Sequence, residues 1–389
     1  MVNITEKGNE VKIKCLSISN IDDFHEYYKK KYPFKRDFNN EFISYIFDNP
    51  LLEDKLNPFL FVAYNNENNI VGELSCSPKE FYCNGIKKKG YIYHDLYVLE
   101  DYRKLGIGTS LIQFALKSCM PAFIIGPTEN SLKIFKLFNF EIVEDMNKYL
   151  WVKSLNSLIK ILNFSLLKLK QNHPSPENLI FPNVLNFNNY NFKLVNISDI
   201  ETDYSCFANF GNIYEFERSI NYLKWRLKFK SENHFYSLND LKLRGYFVVR
   251  RVSWRGLSIL EILDYRFPLE NTFIFKSMLC ALKQFVKSTN IDGIITMSSH
   301  KVIDKILKEN MFLKIGKPIQ IITNNNELIR RVRLKMVGWI QDATLLKNGN
   351  LLVSDSDNNQ ITLRLAEVDC PESSQAFGKK AKEFTSNEV

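Results

Sequence analysis

The run Asp95-Leu-Tyr-Val-Leu-Glu-Asp-Tyr-Arg-Lys-Leu-Gly-Ile-Gly-Thr109 constrains this chain more than any other stretch. A strand ends, the chain turns through two glycines and a helix begins, which commits the surrounding residues to a mixed α/β arrangement. Gly106 and Gly108 let the backbone approach a ligand closely. The first N–H groups of the helix point outward with the positive end of the helix dipole behind them. Such a turn suits a pyrophosphate. It is not a Walker loop, because no GxxxxGK[ST] is present, and it lacks the third glycine of a dinucleotide fingerprint.

The flanking periodicities build a unit around this turn. Strands are expected at 11–16, 59–64, 70–77, 91–98 and 122–126, with strand material at 140–153. Helices are expected at about 22–32, 37–47, 108–119 and 130–138. A leucine- and isoleucine-rich helix at 157–171, expected to pack between domains rather than touch a membrane surface, leads into His173-Pro-Ser-Pro176, the clearest linker signal in the chain. The pattern then restarts: strands at 192–195, 245–252 and 257–265, helices around 216–229 and 273–289, a strand at 293–297 and a helix at 301–309. At 389 residues, the chain is longer than a single core usually covers. The divisions read as 1–153, a linker helix and loop at 154–189, a diverged second copy at 190–335, and a different piece at 336–389.

Charge narrows the ligand. The formal net charge is +9, yet residues 336–389 hold five basic against eight acidic side chains, so the positive field belongs to residues 1–335. Lys29, Lys30, Lys31, Lys35 and Arg36 form one basic cluster and Lys87, Lys88 and Lys89 another. Such runs are usually solvated faces; an anionic cofactor is the sharper alternative and nucleic acid a weaker one, since neither carries a nucleic-acid-binding motif. The 24% of charged and 45% of apolar residues exclude a disordered chain. No apolar run reaches the ~18 residues of a membrane span. The opening Met-Val-Asn-Ile-Thr-Glu-Lys lacks a signal-peptide pattern, so a cytoplasmic location is expected. Seven scattered cysteines, none in a CxxC pair, point to reduced thiols rather than zinc or disulfides.

The Arg-x-x-Gly-x-Gly spacing after a strand resembles the acetyl-CoA loop of the GNAT (Gcn5-related N-acetyltransferase) family. The resemblance extends over about residues 11–152, through Asn49-Pro50, Val71-Gly72, the Arg103–Gly108 loop and Asn130…Phe140 in that order. It implies an N-acetyltransferase that uses acetyl-CoA as co-substrate, with an amine attacking the thioester directly in a ternary complex and no metal required. Carried onto this sequence, the backbone of Arg103, Lys104, Leu105, Gly106, Ile107, Gly108 and Thr109 would hold the pyrophosphate. Val98 would pair with the pantetheine arm, the Leu96 N–H would meet the thioester oxygen, and Asn130 would contact the cofactor. A base must take the amine proton. Strand alternation places His94 on the face of Leu96, toward the thioester, and Asp95 on the other face; Glu73 on the neighbouring strand is a third candidate. The usual tyrosine acid falls on Phe135, which has no proton to give.

In the second copy, Arg218-Ser-Ile-Asn-Tyr-Leu-Lys-Trp225-Arg226 resembles a segment of tandem GNAT proteins. The strand Ile259–Tyr265 would be the counterpart of Tyr91–Val98, but Arg266-Phe-Pro-Leu-Glu-Asn follows it without a glycine pair. This half is therefore expected to supply part of an acceptor pocket, with Trp225 and Arg226 either clamping substrate or packed internally around one ion pair. The tail, Arg364-Leu-Ala-Glu-Val-Asp369-Cys-Pro-Glu372 with the later Phe-Gly-Lys-Lys-Ala-Lys, resembles the thermonuclease (staphylococcal-nuclease-like) family. Arg364, Asp369 and Glu372 would be a remnant nuclease site. Asn348-Gly349-Asn350 replaces the acidic calcium ligands, which weakens a hard-cation site.

The fold class expected is thus α/β (α+β), two tandem GNAT-like mixed-sheet domains followed by a partial, OB-like β-barrel fragment. The function expected is acyl transfer from acyl-CoA, chiefly acetyl, to the amine of a small molecule or amino sugar. A calcium-dependent nuclease acting through the tail and a non-catalytic CoA-binding pseudoenzyme are the rival readings.

Overall fold

The computed structural model describes residues 2–6, 9–31, 46–83, 86–167, 179–202, 204, 214–228, 232–239, 244–268 and 271–325. The expected helix at 37–47 for the most part, Lys35, Arg36, the Pro-rich linker and the whole 336–389 piece with Arg364, Asp369 and Glu372 lie outside these residues.

Among the described residues, fifteen strands join one mixed sheet. In the first half, β1 (Val2–Glu6), β2 (Asn9–Cys15), β3 (Leu60–Tyr64), β4 (Ile70–Cys83) and β5 (Ile86–Val98) pair antiparallel in sequence, and β6 (Ala122–Ile125) joins β5 in parallel. Helix α1 (Ile21–Lys31) precedes β3, α2 (Ile107–Ala115) links β5 to β6, and α3 (Glu129–Lys136) leads into β7 (Glu141–Val152). Helix α2 buries Ile107, Leu111, Ile112 and Ala115, a stripe at helical spacing that packs on Leu74, Cys76 and Tyr93 of the sheet.

After α4 (Leu155–Leu167), strands β8 (Val184–Phe187), β9 (Tyr190–Val195), β10 (Tyr214–Phe216), β11 (His234–Asn239), β12 (Arg244–Trp254) and β13 (Leu257–Arg266) follow, with α5 (Ile220–Lys228) between β10 and β11. Helix α6 (Thr272–Lys287), β14 (Gly293–Ser298), α7 (Lys301–Glu309) and β15 (Leu313–Thr323) complete the described chain. The order β11-β12-β13-α6-β14-α7-β15 repeats β3-β4-β5-α2-β6-α3-β7. In both, the third strand pairs antiparallel with the second through a register shift and parallel with the strand beyond its helix. Strand β13 is buried along its whole length because α5 packs over Leu263 on one face and α6 over Leu260 and Ile262 on the other.

Two differences from expectation matter. The region expected as helix around 216–229 begins with the short strand β10, which pairs with β4 at Tyr214↔Cys83 and Phe216↔Phe81, and only then becomes α5. The closing strands are also exchanged. Strand β7, expected to close the first unit, pairs with β14 and β15, while β15, which the periodicity did not show, pairs with β6 and β7. The middle of the sheet therefore runs β6-β15-β7-β14, and residues 1–153 do not close their own sheet.

Gly293 sits on this seam opposite Val152, where an added Cβ would run into the Trp151 carbonyl oxygen. The obstacle is backbone, which cannot rotate away. Gly293→Ala is expected to destabilise the protein by about 1–3 kcal/mol, the usual cost of overpacking, read as a lowered midpoint in thermal or urea unfolding.

Candidate active site

The site is organised by an irregularity in β5. Glu73 lies opposite Tyr97 and Ser75 opposite His94, so Asp95 and Leu96 together face Leu74 as a β-bulge. Asp95 takes a left-handed conformation at φ 54°. Aspartate is among the few non-glycine residues that tolerate this region. The extra residue shifts the alternation. Tyr93, Leu96 and Val98 all pack on the α2 side of the sheet, whereas Tyr97 turns to the α1 side against Tyr27. The expectation that His94 shares a face with Leu96, with Asp95 opposite, is therefore corrected: His94 and Asp95 are brought together. The His94 ring approaches Asp95 Oδ2 with Nδ1 at 2.9 Å and Ser77 Oγ with Nε2 at 2.7 Å. His94 is largely covered, with 8% of its side chain exposed, and Asp95 keeps 17%.

The same face of β4 carries alternate residues Glu73, Ser75, Ser77 and Lys79, a polar row against the apolar row Leu74 and Cys76 on the α2 side. Glu73 is buried and forms a buried ion pair with Lys31, the last residue of α1, whose ammonium also lies 5.1 Å from the centre of the Tyr97 ring. Burial outweighs the pull of Lys31 and pushes the Glu73 carboxyl up to about 7, with the nearby Asp95 adding to the rise. At the far end of the row, buried Lys79 donates to the Tyr222 hydroxyl and lies over the rings of Tyr222 and Trp225 at 4.2 and 5.6 Å.

The glycine turn sits beyond the bulge. Residues Glu100–Leu105 form a 3-10 turn, Gly106 takes φ 67° and ψ 11°, and α2 begins at Ile107 with no side chain capping it. Nothing stands within 4 Å of the place where a Gly106 Cβ would be, so the left-handed backbone rather than space calls for glycine. The first-turn N–H groups of Ile107, Gly108 and Thr109 are those an α-helix leaves for an anion. Arg103 is tied back to the strand: its Nε donates to the Val98 carbonyl at 3.1 Å and its Nη1 reaches Glu100 at 3.5 Å. A pantetheine arm pairing with Val98 would thus meet a carbonyl already held by Arg103.

Lys104 is exposed and Leu105 half-buried beside the α2 core. Strand β6 pairs with β5 only at Tyr91↔Ala122 and Ile92↔Phe123, while its other edge pairs with β15, so the bulged end of β5 has no pairing with β6. Asn130 is half-buried in the first turn of α3, which Thr128 caps by accepting from the Ser131 N–H at 3.0 Å. Phe135 is a core residue, packed on Phe140 with ring centres 5.2 Å apart.

A cavity of about 960 Å³ lies away from the glycine turn, lined among others by Asp48, Asn196, Asn221, Lys224, Trp225 and His234. The glycine turn is a better cofactor candidate than this cavity, because it joins a left-handed glycine to a helix start that no side chain caps. Trp225 stands between the cavity and Lys79, so it borders the polar row of β4. Arg226 is buried, with its guanidinium carbon 5.9 Å from the centre of the Trp225 ring. Two residues of the site escaped the sequence reading. Ser77 was legible only as one of the alternate polar residues of β4, and Lys31 only as the end of a basic run.

Residues 21–125 match the model of the acetyltransferase (GNAT) family, a span that includes the bulge and the glycine turn. No curated protein sequence matches the chain. Among solved structures, a GCN5-related N-acetyltransferase from Anabaena variabilis superposes with a TM-score of 0.55 at 12% identity, covering 81% of this chain and 73% of its own. One from Kribbella flavida does so with a TM-score of 0.51 at 9% identity, covering 81% and 71%. The Saccharomyces cerevisiae N-myristoyltransferase with bound myristoyl-CoA gives a TM-score of 0.52 at 12% identity, covering 84% and 85%. At these identities the likeness is one of fold. Residues 21–125 thus match a GNAT acetyltransferase domain, and the larger mixed α/β sheet around them resembles in fold the GNAT-type structures.

Proposed function

We propose that this protein is an acyl-CoA-dependent N-acyltransferase that moves acetyl or another short acyl group to the amine of a small molecule or amino sugar. The observation that carries this reading is the uncapped, left-handed Gly106 turn placed beyond a bulge that joins His94 to Asp95. The N–H groups from Arg103 to Thr109 hold the pyrophosphate, Asn130 touches the cofactor from α3, and the Leu96 N–H receives the thioester oxygen as charge develops there. Asp95 keeps the proton of His94 on Nδ1, which leaves Nε2 as the base. Once protonated, His94 can return a proton to the departing thiolate, a role that Phe135 cannot fill.

The repeated element order supports reading the chain as two tandem GNAT-like units with exchanged closing strands. Strand β13 ends at Arg266 and is followed by Phe267-Pro268 instead of a glycine turn, so the second unit contributes acceptor surface, including Trp225, rather than a second cofactor cradle. Neither metal nor a membrane enters this scheme. Among the described residues, no helix is long and apolar enough to cross a membrane.

Gly108 provides the test. A Cβ there would meet only Val98 Cγ2, at 3.8 Å, so Gly108→Ala fits the fold. The change also removes the entropic penalty of a helical glycine. The variant is expected to unfold at a temperature no lower than the parent's. Its affinity for acetyl-CoA, measured by calorimetric titration of the full chain, is expected to fall at least tenfold because the methyl group occupies the ligand's approach. Equal affinity would remove the pyrophosphate from this turn. Binding without amine-dependent thiol release across an amine panel would leave a CoA-binding protein that is not an enzyme.

A further inference from the structure

Several turns and one helix meet at the end of the sheet where β7 finishes. Val152 lies there opposite Gly293, the first residue of β14, and β13 begins beside it, with Ile259 also paired to Gly293. Leu313, which opens β15, lies opposite Leu150, and the β12–β13 hairpin turns there through Arg255 and Gly256. Helix α4 starts from this end and packs with one side only. Ser157 is buried and donates to Asp292 Oδ1 at 3.3 Å, Lys160 pairs with the same carboxylate at 2.8 Å, and Ile161 packs on the small core around Leu150. Leu155 and Ile159, one helical turn apart, are left outside. Ile315 and Trp254 pack on the same small core as Ile161, which makes the hairpin and the start of β15 neighbours of α4. Residues two apart on a strand share a face, so Leu313 joins Ile315 on the α4 side. Leu155, Ile159, Leu313 and Met311, in the turn before β15, are between 51% and 76% exposed.

The rim of this apolar patch is basic. Arg255 and Lys314 are exposed beside it, and exposed Lys287 and Lys308 lie in the last turns of α6 and α7, which lead into the same end. The acids carried by these turns and helix ends are already engaged, Asp292 by Lys160 and Glu309 by Lys276 at 3.2 Å and Lys305 at 3.9 Å. We propose that this end of the sheet docks on an anionic phospholipid bilayer, with Leu155, Ile159, Met311 and Leu313 entering the headgroup region and the rim cations meeting lipid phosphates. The surface lies outside the acyl-transfer scheme and does not depend on it. The chain would lie on the membrane without crossing it. Trp254, half-buried with Arg255 at 5.2 Å from its ring centre, is an aromatic of the kind that settles at headgroup level. A second copy of this chain is a poorer occupant. Two-fold pairing would bring the patch against itself and set the rim cations facing one another. A bilayer interface supplies the opposite charge and takes apolar side chains without a matching shape.

The test is flotation of the full chain with vesicles of phosphatidylcholine alone and of phosphatidylcholine with about a quarter phosphatidylglycerol. Affinity is expected to be about tenfold or more higher for the anionic vesicles, and to fall as salt is raised to about 0.5 M, which shortens the reach of the rim charges. Leu155→Ser combined with Ile159→Ser is expected to lower that affinity about tenfold or more, and Arg255→Glu combined with Lys314→Glu by a similar factor. These positions are exposed, so the thermal midpoint is expected to stay at the parent's, which separates lost docking from lost folding. Absence of binding to the anionic vesicles, equal binding to both kinds, or binding kept in full by the Leu155→Ser, Ile159→Ser variant overturns the proposal. Self-association abolished by that variant, without vesicle binding, overturns it in favour of a second copy.

Discussion

Replacing His94 with glutamine is expected to lower amine-dependent thiol release by about 10²- to 10⁴-fold, the usual worth of a positioned general base, while acetyl-CoA affinity changes little. The imidazole bridges Asp95 and Ser77, so its loss breaks that hydrogen-bonded chain and removes the proposed base. Glutamine preserves bulk and polarity at a largely covered position, which keeps the effect out of folding. Asp95→Asn is expected to fall in the same range, because an amide can donate to Nδ1 and so shift the ring proton to Nε2, where it faces the serine. Glu73→Gln supplies the contrast. Glu73 is closed off by Lys31, so its loss should alter stability more than turnover. Steady-state rates of the three variants decide the matter: a large loss in Glu73→Gln with an active His94→Gln would move the base from the histidine to the glutamate.

The largest expected effect on stability lies in the second half. Asp264→Ala is expected to cost about 3–5 kcal/mol, the penalty for stranding a buried charge, read from urea unfolding of the full chain. Arg218 grips Asp264 through Nε at 3.0 Å and Nη2 at 3.1 Å and donates from Nη1 to the Phe216 carbonyl at 2.8 Å. The Tyr246 hydroxyl donates to the same carboxylate at 2.8 Å. Arg218 is 2% exposed and Asp264 3%, so water cannot take over for a missing partner. Burial raises the Asp264 carboxyl despite Arg218, which means the pair offsets rather than abolishes the cost of burying charge. Changing both residues at once, Arg218→Met with Asp264→Leu, is therefore expected to recover most of the loss. A double variant as unstable as the single one would show that the pair holds more than itself. Phe216 belongs to β10, which pairs with β4, so this ion pair also connects β13 to the strand that carries Ser77 and Glu73.

Much of the fold was legible because it is local. The amphipathic spacing of α1, the polar-apolar run of α7 and the strand–glycine–helix succession from Asp95 to Thr109 depend on neighbours a few residues apart, and each stands close to where the periodicity put it. The glycine turn was legible for the same reason, since a left-handed glycine and a helix start are adjacent in sequence. Strand β15 was hidden because Gly316 and Pro318 interrupt its alternation and read as a turn; its partners β6 and β7 lie far back along the chain. The exchange of β7 and β15 was hidden too, since hydrogen bonds between strands are made by backbone groups that every sequence possesses. The facing expected for His94 and Asp95 differs from the structure by a single residue. Alternation assumes a regular strand, and the sequence of β5 does not announce that Asp95 adopts positive φ. The sequence therefore named the glycine turn and the candidate set His94, Asp95 and Glu73. Which of them face each other, and that Ser77 faces His94, was decided by a bulge that exists only where β4 and β5 pair, because one added residue in a two-residue period exchanges the two faces of a strand.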